Sequence, residues 1–415
     1  MTKARILADY VAGGTTAAEF DYMDGVTSNV QTQLDAKLAL AGGTMTGDLV
    51  PATPLSHRNV IYNGDCRIAQ RGTTSTNPTS GPNTVDGFRF DSGSAGNATC
   101  TQATVSGTNA PGEFDKSFKV EQTTTVSPGS TAYQIVMRKV EAHDCQQFNA
   151  TTGTKAMVLS FWVKANYADT FTTGILNIDG VRIINFQYTT VANEWQKVIH
   201  VIPADSSGGS YTDNNDRGVE IRWWLTAGSN YIGNASTSWK ANDVDNTKNS
   251  IDNPAFSTDG REWEITGVQL EQGGSATPFE HKSIAEEFAK CQRYFQIIQG
   301  NGADSQVGSA FWWNNAELGA FIPLTVPMRS ACTLIAPTGT NYYRWQAGSA
   351  AYSTAIDGIG AHAPNRTGMG TSKQVVSISV YKASVSGTWG QAGSFYVEGG
   401  AFSGEEYCGV SSEIA

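Results

Sequence analysis

Carboxylates at alternate positions are the groups in this chain that could perform covalent chemistry. Two acids placed across a glycosidic bond hydrolyse sugars. Glu220, Glu262 and Glu264 stand in "VEIRWWL" and "REWEIT", where alternation places them on polar strand faces. Such faces normally carry solvated acids, and a glycosidase also needs a cleft. The chain contains no G-x-S-x-G or H-E-x-x-H motif and its five histidines are scattered, so we predict no catalytic residues and no cofactor.

An outward tryptophan suggests a different chemistry, the binding of sugars. In "VEIRWWL" alternation directs Trp223 inward and Trp224 outward, beside Glu220 and Arg222. An exposed indole stacks on the C–H face of a sugar while polar neighbours bind its hydroxyls. The alternative is that a loop or a neighbouring subunit covers Trp224, because tryptophan is mostly buried. Trp224 and Arg222 are therefore glycan-binding candidates.

A denser aromatic cluster occurs near the C-terminus. The segment "NYYRWQ" contains Tyr342, Tyr343 and Trp345, and "FWW" places Trp312 and Trp313 on opposite strand faces. The candidate receptor contacts are Tyr342, Tyr343, Trp345 and Trp312. Of these, the cluster of Tyr342, Tyr343 and Trp345 is the preferred receptor-binding site. Core packing and a subunit interface also favour aromatic residues.

Metal binding has weak support. The loops "TDNNDRG" and "NDVDNTKNSIDN" carry Asp213, Asp216, Asp243 and Asp245, whose oxygens could hold calcium, but the EF-hand spacing is missing. Asp and Asn are also the commonest turn residues. The six cysteines are far apart and form no C-x-x-C pair, so we expect reduced core residues and no bound metal.

Composition limits the classes of partner. The chain has 415 residues with 44 glycines, only 16% charged residues and a net charge of −10. An acidic chain offers little to phosphates, so no nucleic-acid partner is expected. No apolar run approaches the ~20 residues of a membrane-spanning helix, and the N-terminus lacks a convincing signal peptide. We expect no membrane insertion and synthesis in the cytoplasm.

Period-two patterns predict the strands that would position these residues. In "KAMVLSFWVKA" and "RGVEIRWWLTAG" every second residue is large and apolar. "REWEITGVQLEQG" begins in the same way, and Gly267 predicts a bulge after which Val268 and Leu270 turn inward. Many such strands without helical patterns between them predict a jelly-roll β-sandwich over residues 56–282.

A single helical segment separates this region from the C-terminus. In "SIAEEFAKCQRYF" Ser283 and Glu286 form a capping box ahead of residues at helical spacing. We predict a connecting helix over 283–298. Strand patterns broken by Gly and Pro then predict a C-terminal β domain over 299–415.

Residues 1–55 contain a helical pattern of apolar residues followed by a glycine-rich segment. Val26, Val30, Leu34 and Leu38 recur at four-residue steps and form one apolar stripe, and "GGTMTGDL" follows. An isolated helix of this length is marginal in water, so the stripe needs a partner. That partner is either the chain's own domain or two further copies around a shared axis, with the glycine-rich segment as an extended neck.

The longest distinctive segments resemble those of bacteriophage tail-fibre proteins. They are "NVIYNGDCRIAQRGTT", "VLSFWVKA", "WEITGVQLEQGGSATPFEHKSIAEEFAKCQRYF" and "VPMRSACTL". Two N-terminal segments, "MDGVTSNVQTQLDAKL" and "GGTMTGDL", resemble repeats of fibre shafts. Long fibres have many such repeats and this chain has only one short motif. This difference is compatible with a stubby fibre, a neck or capsid fibre, or an adaptor. The resemblance implies that a set of residues folds the domain and carries no chemistry: Trp263, Gln269, Glu271, Pro278 and Phe279.

The resemblance also implies an architecture and a role. The expected fold is mainly β, with a short N-terminal helical or extended neck for attachment and trimerisation, a jelly-roll sandwich akin to carbohydrate-binding modules, a short helix and a C-terminal β-sandwich tip, in a fibrous homotrimer. The expected role is attachment of the virion to a host glycan or outer-membrane protein, with other virion proteins bound through the N-terminus and assembly in the host bacterial cytoplasm. The alternatives are a polysaccharide-degrading spike and a purely structural fibre or adaptor.

Overall fold

A computed structural model describes residues 56–82, 84–233, 236–242, 254–299, 305–312, 317–335, 343–346, 354–356, 359–361, 375–381, 392–397 and 408–414. The chain divides into two units, Met1–Ala52 and Thr53–Ala415, and all of the described residues belong to the second. The expected neck helix, with Val26, Val30, Leu34 and Leu38, lies outside the described residues. The neck and the homotrimer stay predictions.

The first half of the described chain is a β-sandwich, as the alternating patterns predict. Its strands are β1 (Thr74–Thr76), β2 (Phe88–Gly93), β3 (Ala98–Thr104), β4 (Lys116–Gln122), β5 (Tyr133–Glu141), β6 (Met157–Ala165), β7 (Thr170–Asn177), β8 (Arg182–Thr189), β9 (Gln196–Ile202), β10 (Arg217–Ala227), β11 (Lys240–Ala241) and β12 (Glu262–Gln272).

These strands form two six-stranded antiparallel sheets. Sheet A has the order β1-β3-β4-β12-β6-β9, and sheet B has the order β11-β8-β7-β10-β5-β2. One apolar core lies between them and contains Phe161, Trp223 and Trp263. The rings of Phe161 and Trp223 meet edge to face with centroids 5.6 Å apart, which fixes the spacing of the sheets.

Strand β12 changes register where the sequence predicts a bulge. Its pairing with β6 shifts between Thr266 and Gln269, and Gly267 has φ +60°. A Cβ on Gly267 would lie 2.6 Å from the Phe114 ring, so only glycine fits there. The bulge returns Val268 and Leu270 to the core and leaves Gln269 and Glu271 on the outer face.

The helices are short, and the connecting helix predicted over 283–298 ends at Gln292 because Phe295–Gln299 form a strand. Two 3-10 helices span Ala142–Phe148 and Pro254–Ser257, and α1 spans Ile284–Gln292. The Ser283 hydroxyl accepts a hydrogen bond from the backbone N–H of Glu286 at 3.2 Å, as the capping box predicts. Within the described residues, no helix has the length and apolar character needed to cross a membrane.

The described C-terminal residues are also strands. They are β13 (Phe295–Gln299), β14 (Ser305–Trp312), β15 (Glu317–Pro323), β16 (Thr333–Ile335), β17 (Tyr343–Gln346), β18 (Thr354–Ile356), β19 (Ile359–Ala361), β20 (Val375–Tyr381), β21 (Ala392–Val397) and β22 (Cys408–Ser411).

These strands form two further sheets. One is three-stranded, in the order β13-β22-β16, and the other is seven-stranded, in the order β18-β17-β21-β14-β15-β20-β19. Arg71 joins the sandwich to the end of the chain through an ion pair with Glu413 at 2.6 Å. The predicted mainly β fold is confirmed, because strands predominate among the described residues.

Candidate functional site

The outer face of sheet B brings polar residues from distant parts of the chain into one row. Reading across β8, β7, β10, β5 and β2, the facing residues are Asn185, Gly174, Arg222, Met137 and Arg89. Each points away from the core because its neighbours along the strand point into it. We call these five residues the central row.

Asn185 in the central row has an unusual environment. Its side chain is 0% exposed, and neither its Oδ1 nor its Nδ2 has a hydrogen-bond partner in the described part of the chain. Leaving a buried polar group unpaired costs about 1–3 kcal/mol. Gly174 next to it contributes no side chain, and a Cβ there would lie 3.1 Å from Asn185 Oδ1 and 3.9 Å from Arg222 Cβ. The gap between Asn185 and Arg222 therefore depends on glycine.

Trp224 lies one row further along the same face. It pairs with Ile135 and Thr172 across the strands, so the predicted outward direction is correct. Of the two alternatives, exposure to solvent and cover by a loop, the structure shows cover, because Trp224 is only 2% exposed. The chain turns back after β10 and places the Tyr231 ring over the indole, with centroids 5.5 Å apart.

Tyr231 and Tyr133 provide the partly exposed aromatic surface at this end of the face. Their rings meet edge to face with centroids 5.5 Å apart, and both are half-buried. The turn "GSNYIG" holds Tyr231 through a hydrogen bond from its backbone N–H to the carbonyl oxygen of Gly228 at 2.9 Å. Trp224, the predicted stacking residue, thus packs beneath Tyr231, and Tyr231 is the ring that faces outward.

Charged residues occupy the row on the other side of the central row. Glu220 is buried and its carboxylate accepts hydrogen bonds from Arg217 and Arg222. Burial alone would raise the pKa of Glu220, yet Arg222 and Arg217 hold it below its ordinary value. Lys139 faces Glu220 across β5 and β10. Burial lowers the pKa of Lys139 to about 8, although Glu220 opposes this shift.

The other predicted acids lie on the opposite side of the sandwich. Glu264 accepts a hydrogen bond from Ser117 at 3.0 Å and forms an ion pair with Lys164 at 2.7 Å. Glu262 pairs with Lys119 at 3.0 Å. Glu262 and Glu264 therefore lie on the outer face of sheet A, and the two layers of the sandwich separate them from Glu220. Each of these carboxylates is already paired with a cation.

The C-terminal aromatic cluster is described in part. Trp345 is 5% exposed and Trp312 is 4% exposed, and their rings meet edge to face with centroids 5.6 Å apart. These two indoles pack on each other and are not presented to solvent. Tyr343 lies in β17, and Tyr342 is outside the described residues. The receptor role of this cluster stays a prediction.

The acidic loops give no cation site where they are described. Asp213 is exposed and hydrogen-bonds to His143 Nδ1, and the backbone N–H of Asp216 donates to Asn214 Oδ1. Asp243 and Asp245 lie outside the described residues. Among the residues that the structure places, no group of three or more His, Cys, Asp or Glu side chains could hold a metal.

A cleft of about 710 Å³ lies between the 3-10 helix 142–148, α1 and residues 56–62. Its inner wall carries Glu141, whose two oxygens accept hydrogen bonds from Arg293 at 2.8 and 2.9 Å. Tyr294 donates to the same carboxylate at 3.1 Å. Burial, and then the charge of Glu141, raise the pKa of Asp144 at the cleft's edge. Because Arg293 and Tyr294 already occupy both oxygens of Glu141, Asp144 is the one carboxylate among the described residues lining this cleft that remains available to a ligand.

Comparison with known proteins gives similarity only among solved structures, since no protein-family model and no curated protein matches the chain. A family 11 carbohydrate-binding module from Clostridium thermocellum, in complex with a β-1,3-1,4-mixed-linked tetrasaccharide, is 14% identical and has a TM-score of 0.24, over 49% of this chain and 98% of that module. The xylan-binding domain CBM22-1 of Paenibacillus barcinonensis Xyn10C is 9% identical, with a TM-score of 0.23, over 55% of this chain and 100% of that domain. TmCBM61 in complex with β-1,4-galactotriose is 10% identical, with a TM-score of 0.24, over 45% of this chain and 88% of that chain.

Proposed function

We propose that this chain is an attachment protein of a bacteriophage fibre, that it binds a glycan of the host cell surface, and that the outer face of sheet B is the glycan-binding face. The fibre part of the proposal rests on the resemblance of the segment 263–295 and the N-terminal motifs to tail-fibre proteins. The glycan part rests on the residues of the central row.

The observation that carries the glycan proposal is the unpaired amide of Asn185. A carboxamide offers one acceptor and two donor hydrogens, which is the combination that sugar hydroxyls require. Both Asn185 atoms lack partners among the described residues and are also covered, so a sugar hydroxyl that displaces this cover would remove an existing cost. Arg222 lies across the Gly174 gap, and Tyr231 and Tyr133 supply ring surface beyond it.

Binding to an array of purified bacterial capsular and O-chain glycans tests this proposal with the full chain. Asn185→Leu removes the amide at similar volume and should reduce binding at least tenfold, because the ligand loses both hydrogen bonds. Asn97→Leu, which removes an exposed amide before β3, should bind like the unchanged protein. Equal binding by Asn185→Leu, or no binding of any glycan by the unchanged chain, contradicts the proposal.

The same samples test whether the protein is a binder or an enzyme. We propose that it does not cleave the glycan, since the described carboxylates Glu220, Glu262 and Glu264 are each paired with a cation. Incubation with a bound glycan should produce no new reducing ends. Release of reducing ends would favour a polysaccharide-degrading spike.

The assembly part of the proposal concerns residues 1–55. We propose that the stripe formed by Val26, Val30, Leu34 and Leu38 joins three copies and that this end binds other virion proteins. Sedimentation equilibrium of the full chain should give three times the single-chain mass of 44.2 kDa. A stable monomer would contradict the trimer and leave the glycan-binding face untouched.

A further inference from the structure

Cationic side chains outnumber carboxylates on the outer face of sheet B. Four cations lie there, against the three carboxylates of Glu220, Asp91 and Glu141, the last of which is paired with Arg293: Arg89, Lys139, Arg217 and Arg222. The whole chain has the opposite balance, with a net charge of −10. This face is therefore a local reversal of the protein's charge.

Several nitrogens of these cations are not used by these carboxylates. Arg222 donates to Glu220 through Nε, so its two terminal nitrogens take no part in that pair. Arg217 donates through a terminal nitrogen, and its Nε is buried with no partner among the described residues. Lys139 Nζ donates to the backbone carbonyl of Ile414 at 3.3 Å and has no ion pair within the described part of the chain.

The spacing of the cations fits a repeating ligand. Met137 faces Arg222 on one side and Arg89 on the other, so these arginines stand two strands apart, about 10 Å. Lys139 lies two residues along β5, about 7 Å from Met137 on the same face. All four cationic residues are half-buried, so part of each residue remains open to solvent.

The acids nearest to this group neutralise only part of it, since Asp91 offsets Arg89 and Glu413 is engaged elsewhere. Asp91 is paired with Arg89 at 2.8 Å and also accepts hydrogen bonds from Ser80 and Gly81. Glu413 lines a small crevice together with Arg89 and Lys139, but its carboxylate pairs with Arg71 at 2.6 Å. Arg89 and Arg217 add to the effect of burial in lowering the pKa of Lys139, as expected where positive charges are crowded.

We infer that the glycan bound by the outer face of sheet B is anionic, with carboxylate or phosphate groups held by Arg89, Lys139 and Arg222. This inference rests on the proposed function and adds the ligand class. The aromatic end at Tyr231 would hold an uncharged sugar unit, and the cationic end would hold an acidic one.

Calorimetric titration of the full chain tests this with three probes: a uronate-containing capsular polysaccharide, a phosphate-containing teichoic acid and a neutral galactan. One or both acidic probes should bind, and raising NaCl from 50 to 500 mM should weaken binding about tenfold by screening. Chemical reduction of the uronate carboxyls should abolish that binding if carboxylate is the ligand. Tight binding of the teichoic acid alone would identify phosphate.

Charge variants locate the effect on the face. Lys139→Gln and Arg222→Gln should each weaken binding of the acidic probe about tenfold, since each removes a charge-assisted hydrogen bond. Lys139→Arg should retain it, and Lys197→Gln, which removes an exposed lysine from the outer face of sheet A, should have no effect. Melting temperatures are measured for all variants, and Arg89→Gln replaces any variant that does not fold.

The failures are distinguishable. If the neutral galactan binds, with affinity unaffected by salt and by Lys139→Gln, the anionic ligand class is wrong while glycan binding stands. If no glycan binds on the array or in solution, the result contradicts the proposed glycan binding, and the inference of an anionic ligand is contradicted as well.

Discussion

The two outer faces of the sandwich differ in whether their buried polar groups have hydrogen-bond partners. On sheet A the buried polar groups of β12 are fully paired. Gln269 donates to Glu271 at 2.9 Å and to Thr277 at 3.2 Å, and its Oε1 accepts from the backbone of Glu280 at 2.8 Å. On sheet B, Asn185 and Arg217 Nε are buried without partners among the described residues.

This difference separates residues that hold the fold from residues available for binding. The network of Gln269, Glu271 and Thr277 fastens the segment after β12 to the sheet, because Glu271 also accepts from both the N–H and the hydroxyl of Thr277 at 2.8 and 2.7 Å. Native proteins rarely leave buried polar groups unpaired, and the exceptions need an explanation. A ligand provides one for the outer face of sheet B.

The largest expected effect is on the stability of sheet A. Glu271→Ala leaves the Gln269 amide and both Thr277 donors without their acceptor, so we expect the free energy of unfolding to fall by about 3–4 kcal/mol. Urea unfolding of the full chain measures this. Glu113→Ala, which removes an exposed carboxylate, should change stability by less than about 0.5 kcal/mol. A similar small change for Glu271→Ala would mean that the two faces do not differ in this way.

The next effect is the pH dependence of binding. The groups that face Lys139 include Glu220, Asp91, Arg89 and Arg217, and its pKa is lowered to about 8. Lys139 is charged below that value, and an anionic ligand would raise its pKa in the complex. Affinity should therefore fall as pH rises through 8, by about tenfold between pH 7 and 9.

A matched variant isolates Lys139 in this pH profile. Arginine stays charged throughout that range, so Lys139→Arg should bind an acidic glycan with affinity that is constant from pH 7 to 9. Calorimetric titrations at each pH give the comparison. A decline of equal size in Lys139→Arg would assign the pH dependence to another group.

The smallest effect expected is a gain in stability. Asn185→Leu replaces an unpaired buried amide by an apolar group of similar size, so the free energy of unfolding should stay constant or rise by about 1 kcal/mol. Urea unfolding again measures it. A loss above about 2 kcal/mol would show that Asn185 is already satisfied and belongs to the fold.

The sequence predicts the strands well because alternation is a local property. Val219, Ile221 and Trp223 lie in the core as expected, and the bulge at Gly267 occurs where glycine interrupts the pattern. The Ser283 cap is equally local. Each of these features needs only neighbouring residues to be recognised.

The site is less predictable because it depends on distant segments. Alternation places Trp224 outward, but its cover by Tyr231 results from the path of the chain after β10. Asn185 in "RIINFQYT" looks like an ordinary polar strand residue, and nothing local indicates that its amide lacks partners. Arg89, Lys139 and Arg222 come from three strands that only the sheet order brings together.

One paired measurement tests the difference between the faces most directly: urea unfolding and glycan binding of Asn185→Leu and Gln269→Leu, each in the full chain. Both substitutions replace a fully buried carboxamide by leucine. The account predicts that Asn185→Leu keeps its stability and loses binding at least tenfold, and that Gln269→Leu loses about 2–3 kcal/mol of stability and keeps its affinity. The reverse pattern, or two variants with the same losses, would contradict it.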